Sequence, residues 1–148
     1  SASQAGYAAS IPIASGIPAL LFIPSLIPPR FIGRMIAVFA LMTALNLILV
    51  LNSSGTPLYI GLLMLGFISS PFMPLMLLLL MESPRVQTEY MGAAGGMFFC
   101  VAEIGGFSGP ALMGILVDVT GTFMAGTIFL AVLCIGIAIM TFYINAER

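Results

Sequence analysis

The most constraining feature of this sequence is where its cations stand. All four basic residues, Arg30, Arg34, Arg85 and Arg148, lie in gaps or at an end of five long apolar runs. A helix needs roughly 20 apolar residues to cross about 30 Å of hydrocarbon. The runs predict spans at about 6–28, 34–51, 57–81, 89–117 and 123–144. When they are threaded up and down, every gap that holds an arginine falls on one side. Short loops rich in arginine stay cytoplasmic, so the N-terminus is expected outside and the C-terminus inside. The odd number of runs predicts that the chain is a piece of something larger.

Composition leads to the same class by a separate route. The 148 residues are 61% hydrophobic and 6% charged, with a mean hydropathy of +1.21. A soluble domain carries about 25% charged residues because water must wet its surface. A chain this apolar has lipid as its solvent. The runs lack the alternation of a membrane strand, and each must satisfy its own backbone groups, so the expected fold is an all-α polytopic transmembrane helix bundle. The length allows one domain, residues 1–148. A net charge of −1 without any lysine argues against a nucleic-acid partner. Cys100 and Cys134 lie inside apolar runs and read as small buried hydrophobes. With no histidine, neither a metal site nor a cofactor is implied. The residues before the first run lack the charged start of a signal peptide.

Three runs are rich in helix-disturbing residues. The first holds Gly6, Pro12, Gly16, Pro18 and Pro24. The third holds Gly61, Gly66, Pro71 and Pro74 around Ser69 and Ser70. The fourth holds eight glycines and prolines, from Gly92 to Gly114. An internal proline removes one backbone hydrogen bond and frees the carbonyl four residues back. Glycine lets helices approach closely. Tight packing alone accounts for such a pattern. The sharper reading makes spans one, three and four an inner, moving wall and leaves two and five against lipid. Pro12, Pro18 and Pro24 recur every six residues and share no face, which predicts a helix that bends along its length.

Glu103 is the leading candidate for function. It stands near the centre of the fourth run, with Gly96, Phe99, Cys100, Gly106, Phe107 and Pro110 at helical spacing. An ionised carboxylate at mid-membrane costs about 2.5–3.5 kcal/mol on insertion scales. A cation, a proton or water relieves that cost, and every arginine here lies at the membrane surface. A carboxyl that takes and releases a proton as a cavity wets and dries is what proton-coupled transport needs. The alternative is a permanently protonated side chain bonded to a backbone carbonyl, such as one that Pro110 frees. Asn46, buried in the second run, predicts an interhelical hydrogen bond. Asp118 predicts a cap for the turn into the fifth span.

Two stretches resemble a known family. The loop Ser25-Leu-Ile-Pro-Pro-Arg-Phe-Ile-Gly-Arg34 is similar to the Gly-Asp-Arg-Gly-Arg type signature of the major facilitator superfamily. Arg30, Gly33 and Arg34 are kept, Pro29 replaces the acid, and one extra residue precedes Gly33. Gly105-Gly-Phe-Ser-Gly109-Pro110-Ala-Leu-Met-Gly114 resembles that family's glycine-proline signature, with Met113-Gly114 in place of its final Gly-Gly. Across nearly all 148 residues the chain looks like the C-terminal half of such a transporter without the first helix of that half.

The resemblance implies helices eight to twelve of a twelve-helix protein, with the second and fifth spans outermost. It implies a secondary active transporter of a small solute working by alternating access between two bundles. Arg30, Gly33 and Arg34 would form a cytoplasmic gate loop. Gly105, Gly109, Pro110 and Gly114 would serve packing or bending, as the prolines of the first span do. The implied partners are the lipid bilayer of the cell membrane, the missing N-terminal half and an unidentified small molecule. A non-transporting membrane module, such as a channel subunit or assembly partner, also accommodates five spans. An intramembrane enzyme does not fit, for there is no Gly-x-Ser-x-Gly elbow and no pair of intramembrane aspartates.

Overall fold

The computed structural model describes residues 2–84 and 86–146. Among these the chain is helical, without strands: α1 (Ala2–Leu26), α2 (Ile32–Leu51), α3 (Thr56–Ser69), α4 (Phe72–Met81), α5 (Met91–Thr120) and α6 (Met124–Ala146). Single 3₁₀ turns, Pro29–Phe31 and Thr88–Tyr90, lead into α2 and α5. Five segments are long and apolar enough to cross a membrane: Gly6–Leu26, Pro29–Leu51, Thr56–Met81, Thr88–Thr120 and Met124–Tyr143. Their bounds agree with the runs read from sequence to within a few residues. Arg85 and Arg148, on which half of the charge asymmetry rests, lie outside the described residues.

The third span is two helices. α3 ends at Ser69 and α4 begins at Phe72. Pro71 has no N–H to bond the carbonyl of Phe67, and Pro74 likewise leaves the carbonyl of Ser70. Two such losses three residues apart part the helix, whereas α1 stays continuous through Pro12, Pro18 and Pro24. Their spacing of six leaves an intact turn between each pair.

The bundle packs around α2. Ile32, Ile36 and Phe39 of α2 form a core with Ile68 of α3 and Leu75 of α4. Ile27 at the end of α1 and Leu78 and Leu79 near the end of α4 pack on the same cluster. The α1–α2 and α4–α5 connections therefore lie at one end of the bundle. At the other end Val50 of α2 meets Gly61 of α3. α2 and α6 share the most extensive contact, and both bury small residues: Ala40 and Ala44 on one, Ala131 and Ala138 on the other. Small side chains are what allow two backbones to close in lipid, where no hydrophobic force drives association.

Burial departs from the expectation built on glycine and proline. α2, which has no proline and only Gly33, is the most enclosed helix, although Leu41, Leu45 and Leu49 on its far side are exposed. α5, the richest in glycine, buries no residue. A Cβ added at Gly92, Gly95, Gly96, Gly105, Gly106, Gly109 or Gly114 would meet nothing within 4 Å. Glycine permits close approach, but something must be there to approach. In α1 and α3 it is. A Cβ on Gly66 would fall on the carbonyl of Pro12, and one on Gly16 on the hydroxyl of Ser70. Ser15 Oγ seals this crossing by donating to Leu63 O of α3 at 2.8 Å.

The turn after α5 also differs from expectation. Asp118 is exposed inside the last helical turn. Gly121, left-handed at φ 71°, donates its N–H to Val117 O at 2.7 Å, and Thr120 Oγ1 donates to Leu116 O at 2.6 Å. A Cβ disfavours that left-handed conformation, so glycine ends the helix and Asp118 has no cap to supply.

Candidate functional site

α5 touches the bundle along one side only. Ala94, Phe98 and Ala102 turn inward and are partly buried. Gly96, Phe99, Cys100, Glu103, Gly106, Phe107 and Pro110 form the opposite face, and all seven are exposed. Glu103 thus stands in mid-helix on a bare stripe of small and aromatic side chains. Among the described residues nothing hydrogen-bonds to its carboxylate and no cation pairs with it. Phe107, one turn along, is 83% exposed, so the stripe is open along its length.

The side of α5 that faces the bundle stands off from it. Between α2, the α3–α4 break, α4, α5 and α6 lies a groove of about 1030 Å³. Met73, Met76, Met97, Phe98 and Val101 wall it, together with the hydroxyl-bearing Thr43 and Ser69 and the thiol-bearing Cys134. Farther along, Gly105 and Gly109 border a recess of about 220 Å³ against Gly126 and Phe129 of α6. The signature Gly105 to Gly114 therefore lies where α5 meets α6 loosely. Pro110 itself is exposed.

Arg30 lies in the 3₁₀ turn and Arg34 in the first turn of α2. Both guanidinium groups sit over Phe31, at 4.7 and 5.8 Å from the ring centroid. Such cation–π contacts hold cations at a surface without an acidic partner, which suits a loop that has no acidic residue between Ser25 and Arg34. Gly33 is buried beside Ile32.

No match is found among protein-family models, curated proteins or solved structures.

The prolines of α1 are not brought together. Pro12 backs onto Gly66 and Pro24 is partly buried, while Pro18 is exposed. Glu103 and the arginine loop are not paired: among the described residues no cation bonds the Glu103 carboxylate. Asn46 is 7% exposed but makes no hydrogen bond among the described residues, contrary to expectation. It lines a second cavity of about 430 Å³ with Leu49, Ser53, Gly61 and Met64. Gly61 explains the difference: with no side chain there, α3 offers Asn46 room and no donor or acceptor of its own.

Thr43 is the residue that sequence reasoning passed over. It is 7% exposed, and its hydroxyl has no partner. A lone threonine in an apolar run carries no signal, because threonine in a helix usually bonds back to its own preceding turn. Thr127 and Thr141 do so in α6, to Phe123 O and Ile137 O.

Proposed function

We propose that the chain belongs to a secondary active transporter of a small solute, operating by alternating access in the cell membrane, with its N-terminus outside and its C-terminus cytoplasmic. The observation that carries this reading is Glu103: a carboxylate midway along a 30-residue helix, on a face that nothing among the described residues covers. Intramembrane acids face a bundle interior or a wet cavity, since lipid does not solvate them. The bare stripe of α5 is then one wall of a path, and Glu103 is the group on it able to exchange a proton.

Two further features support the reading. The span that crosses α1 is broken at Pro71, and irregular backbone at membrane depth is tolerated only where it lies in protein or beside water. The Arg30–Arg34 loop marks the cytoplasmic end, the place that the family resemblance assigns to the gate. The bundle that would close the far side of the path is the other half of the transporter. The alternative of a non-transporting module draws on the same bare face, which an assembly partner would also cover.

The test is uptake by proteoliposomes that contain the whole polypeptide as its gene encodes it, with internal pH followed by a trapped dye during a screen of small solutes. A solute that enters and moves protons with it is the expected outcome. Glu103→Gln should leave solute binding intact and abolish the proton movement. Uptake with unchanged pH dependence in Glu103→Gln would remove the coupling role. A polypeptide with no upstream spans, inert to every solute, would favour the module.

A further inference from the structure

We propose that the groove behind α5 binds a neutral lipophilic molecule that ends in one hydroxyl or carbonyl group, anchored by the Thr43 hydroxyl. This site lies on the side of α5 away from Glu103 and does not depend on the transport reading. Three observations carry it. The groove is large, about 1030 Å³, and its walls are apolar and soft, with Met73, Met76 and Met97 among them. Methionine side chains adapt to varied apolar shapes. Among the described residues no charged side chain lines the groove, so a charged headgroup would find no counter-charge among them.

The third observation selects the polar group. Thr43 is more than nine-tenths buried, borders the groove, and has a hydroxyl without a partner. An unmet buried hydroxyl is costly, and a buried polar group normally has a partner. Rotation of about 120° about χ1 moves a threonine hydroxyl from one staggered position to the next, and threonine in a helix occupies two of them. The proposed anchored state is the one in which the Thr43 side chain, which lines the groove, turns its hydroxyl to the occupant.

Ser69 stands at the same deep end, where α3 stops. Its Oγ donates to Leu65 O at 2.7 Å, which leaves the oxygen free to accept. Thr43 and Ser69 together offer one donor and one further acceptor. A terminal alcohol uses both and a terminal carbonyl uses the donor, whereas a plain hydrocarbon uses neither. The groove runs from this end past Leu80 and Ala94 to a shallower recess bordered by Gln87 and Tyr90. An extended molecule can thus enter from the end that carries the Arg30–Arg34 loop.

The experiment uses the full chain in detergent micelles with a diazirine-bearing octan-1-ol as photoprobe, and mass spectrometry locates the adducts. Labelling should concentrate on α4 and α5 near Met73, Met76 and Met97. Octan-1-ol should compete about threefold to tenfold better than octane at equal mole fraction in the micelle, the worth of one hydrogen bond. Thr43→Val should erase that preference while Thr43→Ser keeps it. Ala102→Phe, which fills the groove from α5, should abolish the labelling. Adducts spread evenly over the exposed Leu41 and Leu45 face would overturn the proposal, as would equal competition by octane in the native chain. If Thr43→Val fails to fold by circular dichroism, labelling that persists in Ala102→Phe overturns it just as well.

Discussion

Gly66 offers the sharpest test of how this bundle is held together. A methyl group at this position would overlap the carbonyl of Pro12, and the obstacle is backbone that no side-chain rotation can clear. α1 and α3 must move apart. Overpacking of this kind costs about 1–3 kcal/mol. The Ser15 to Leu63 bond across the same crossing is lost with it, about 0.6 kcal/mol by the average for interhelical bonds in membranes. Alanine recovers about 0.5–1 kcal/mol over glycine as a helix former. The net effect of Gly66→Ala is then a loss of about 0.6–3 kcal/mol.

Gly136 of α6 is the control, since a Cβ there meets nothing within 4 Å. Gly136→Ala should gain about 0.5–1 kcal/mol from helix preference alone. Unfolding by sodium dodecyl sulfate in mixed micelles, followed by circular dichroism, reads both. The two midpoints should move in opposite directions. Equal shifts, or a stabilised Gly66→Ala, would refute the claim that α1 and α3 cross in backbone contact.

Thr43→Val should stabilise the ligand-free chain by about 1–3 kcal/mol in the same assay, because it replaces an unsatisfied buried hydroxyl by a methyl of equal shape; a loss of stability would mean that the hydroxyl is already bonded. Ser15→Ala should cost about 0.6 kcal/mol, and no change would show that the α1–α3 crossing rests on packing alone. Cysteines placed at the exposed positions Pro29 and Ser54, in a background without Cys100 and Cys134, should react with an impermeant maleimide from opposite sides of a sealed vesicle. Reaction from the same side would discard the topology. Glu103→Gln should abolish the proton movement that accompanies solute uptake, whereas a side chain with no part in coupling would leave it unchanged.

The spans were legible in the sequence because their cause is local: about 20 apolar residues and the hydration of arginine set where each helix starts and stops. The prolines at 71 and 74 were legible as a disturbance for the same reason. That they divide the span, while three prolines leave α1 whole, depends on their spacing along one helix. What lies beside a helix was less legible. Glycine in α1 and α3 does mark a close crossing, at Gly16 and Gly66, yet the same residue type in α5 faces open space. Composition gives the ability to pack, and only the tertiary arrangement supplies the neighbour. Asn46 and Thr43 show the same limit for polar groups. Both are buried on α2, and each borders a cavity whose other walls come from helices distant in sequence.

The orientation of α5 narrows what its charge can be for. Turning the helix by half a turn would carry Glu103 out of the exposed stripe and into the groove, but the groove offers the carboxylate no cation and only the hydroxyls of Thr43 and Ser69. The same rotation would withdraw Ala94, Phe98 and Ala102, the partly buried residues of this side, from the groove. Rotation therefore offers the carboxylate two hydroxyls and no counter-charge, and the structure keeps it outward. Left against hydrocarbon it costs about 2.5–3.5 kcal/mol on insertion scales, a sizeable part of what holds a domain together. Relief has to come from beyond the five helices, as water in a path or as a helix that covers the stripe. Small residues at Gly96, Cys100 and Gly106 leave room beside the carboxylate for either. In the proposed transporter a path that alternately admits and expels water supplies that relief, and Glu103 is the group proposed to carry the proton.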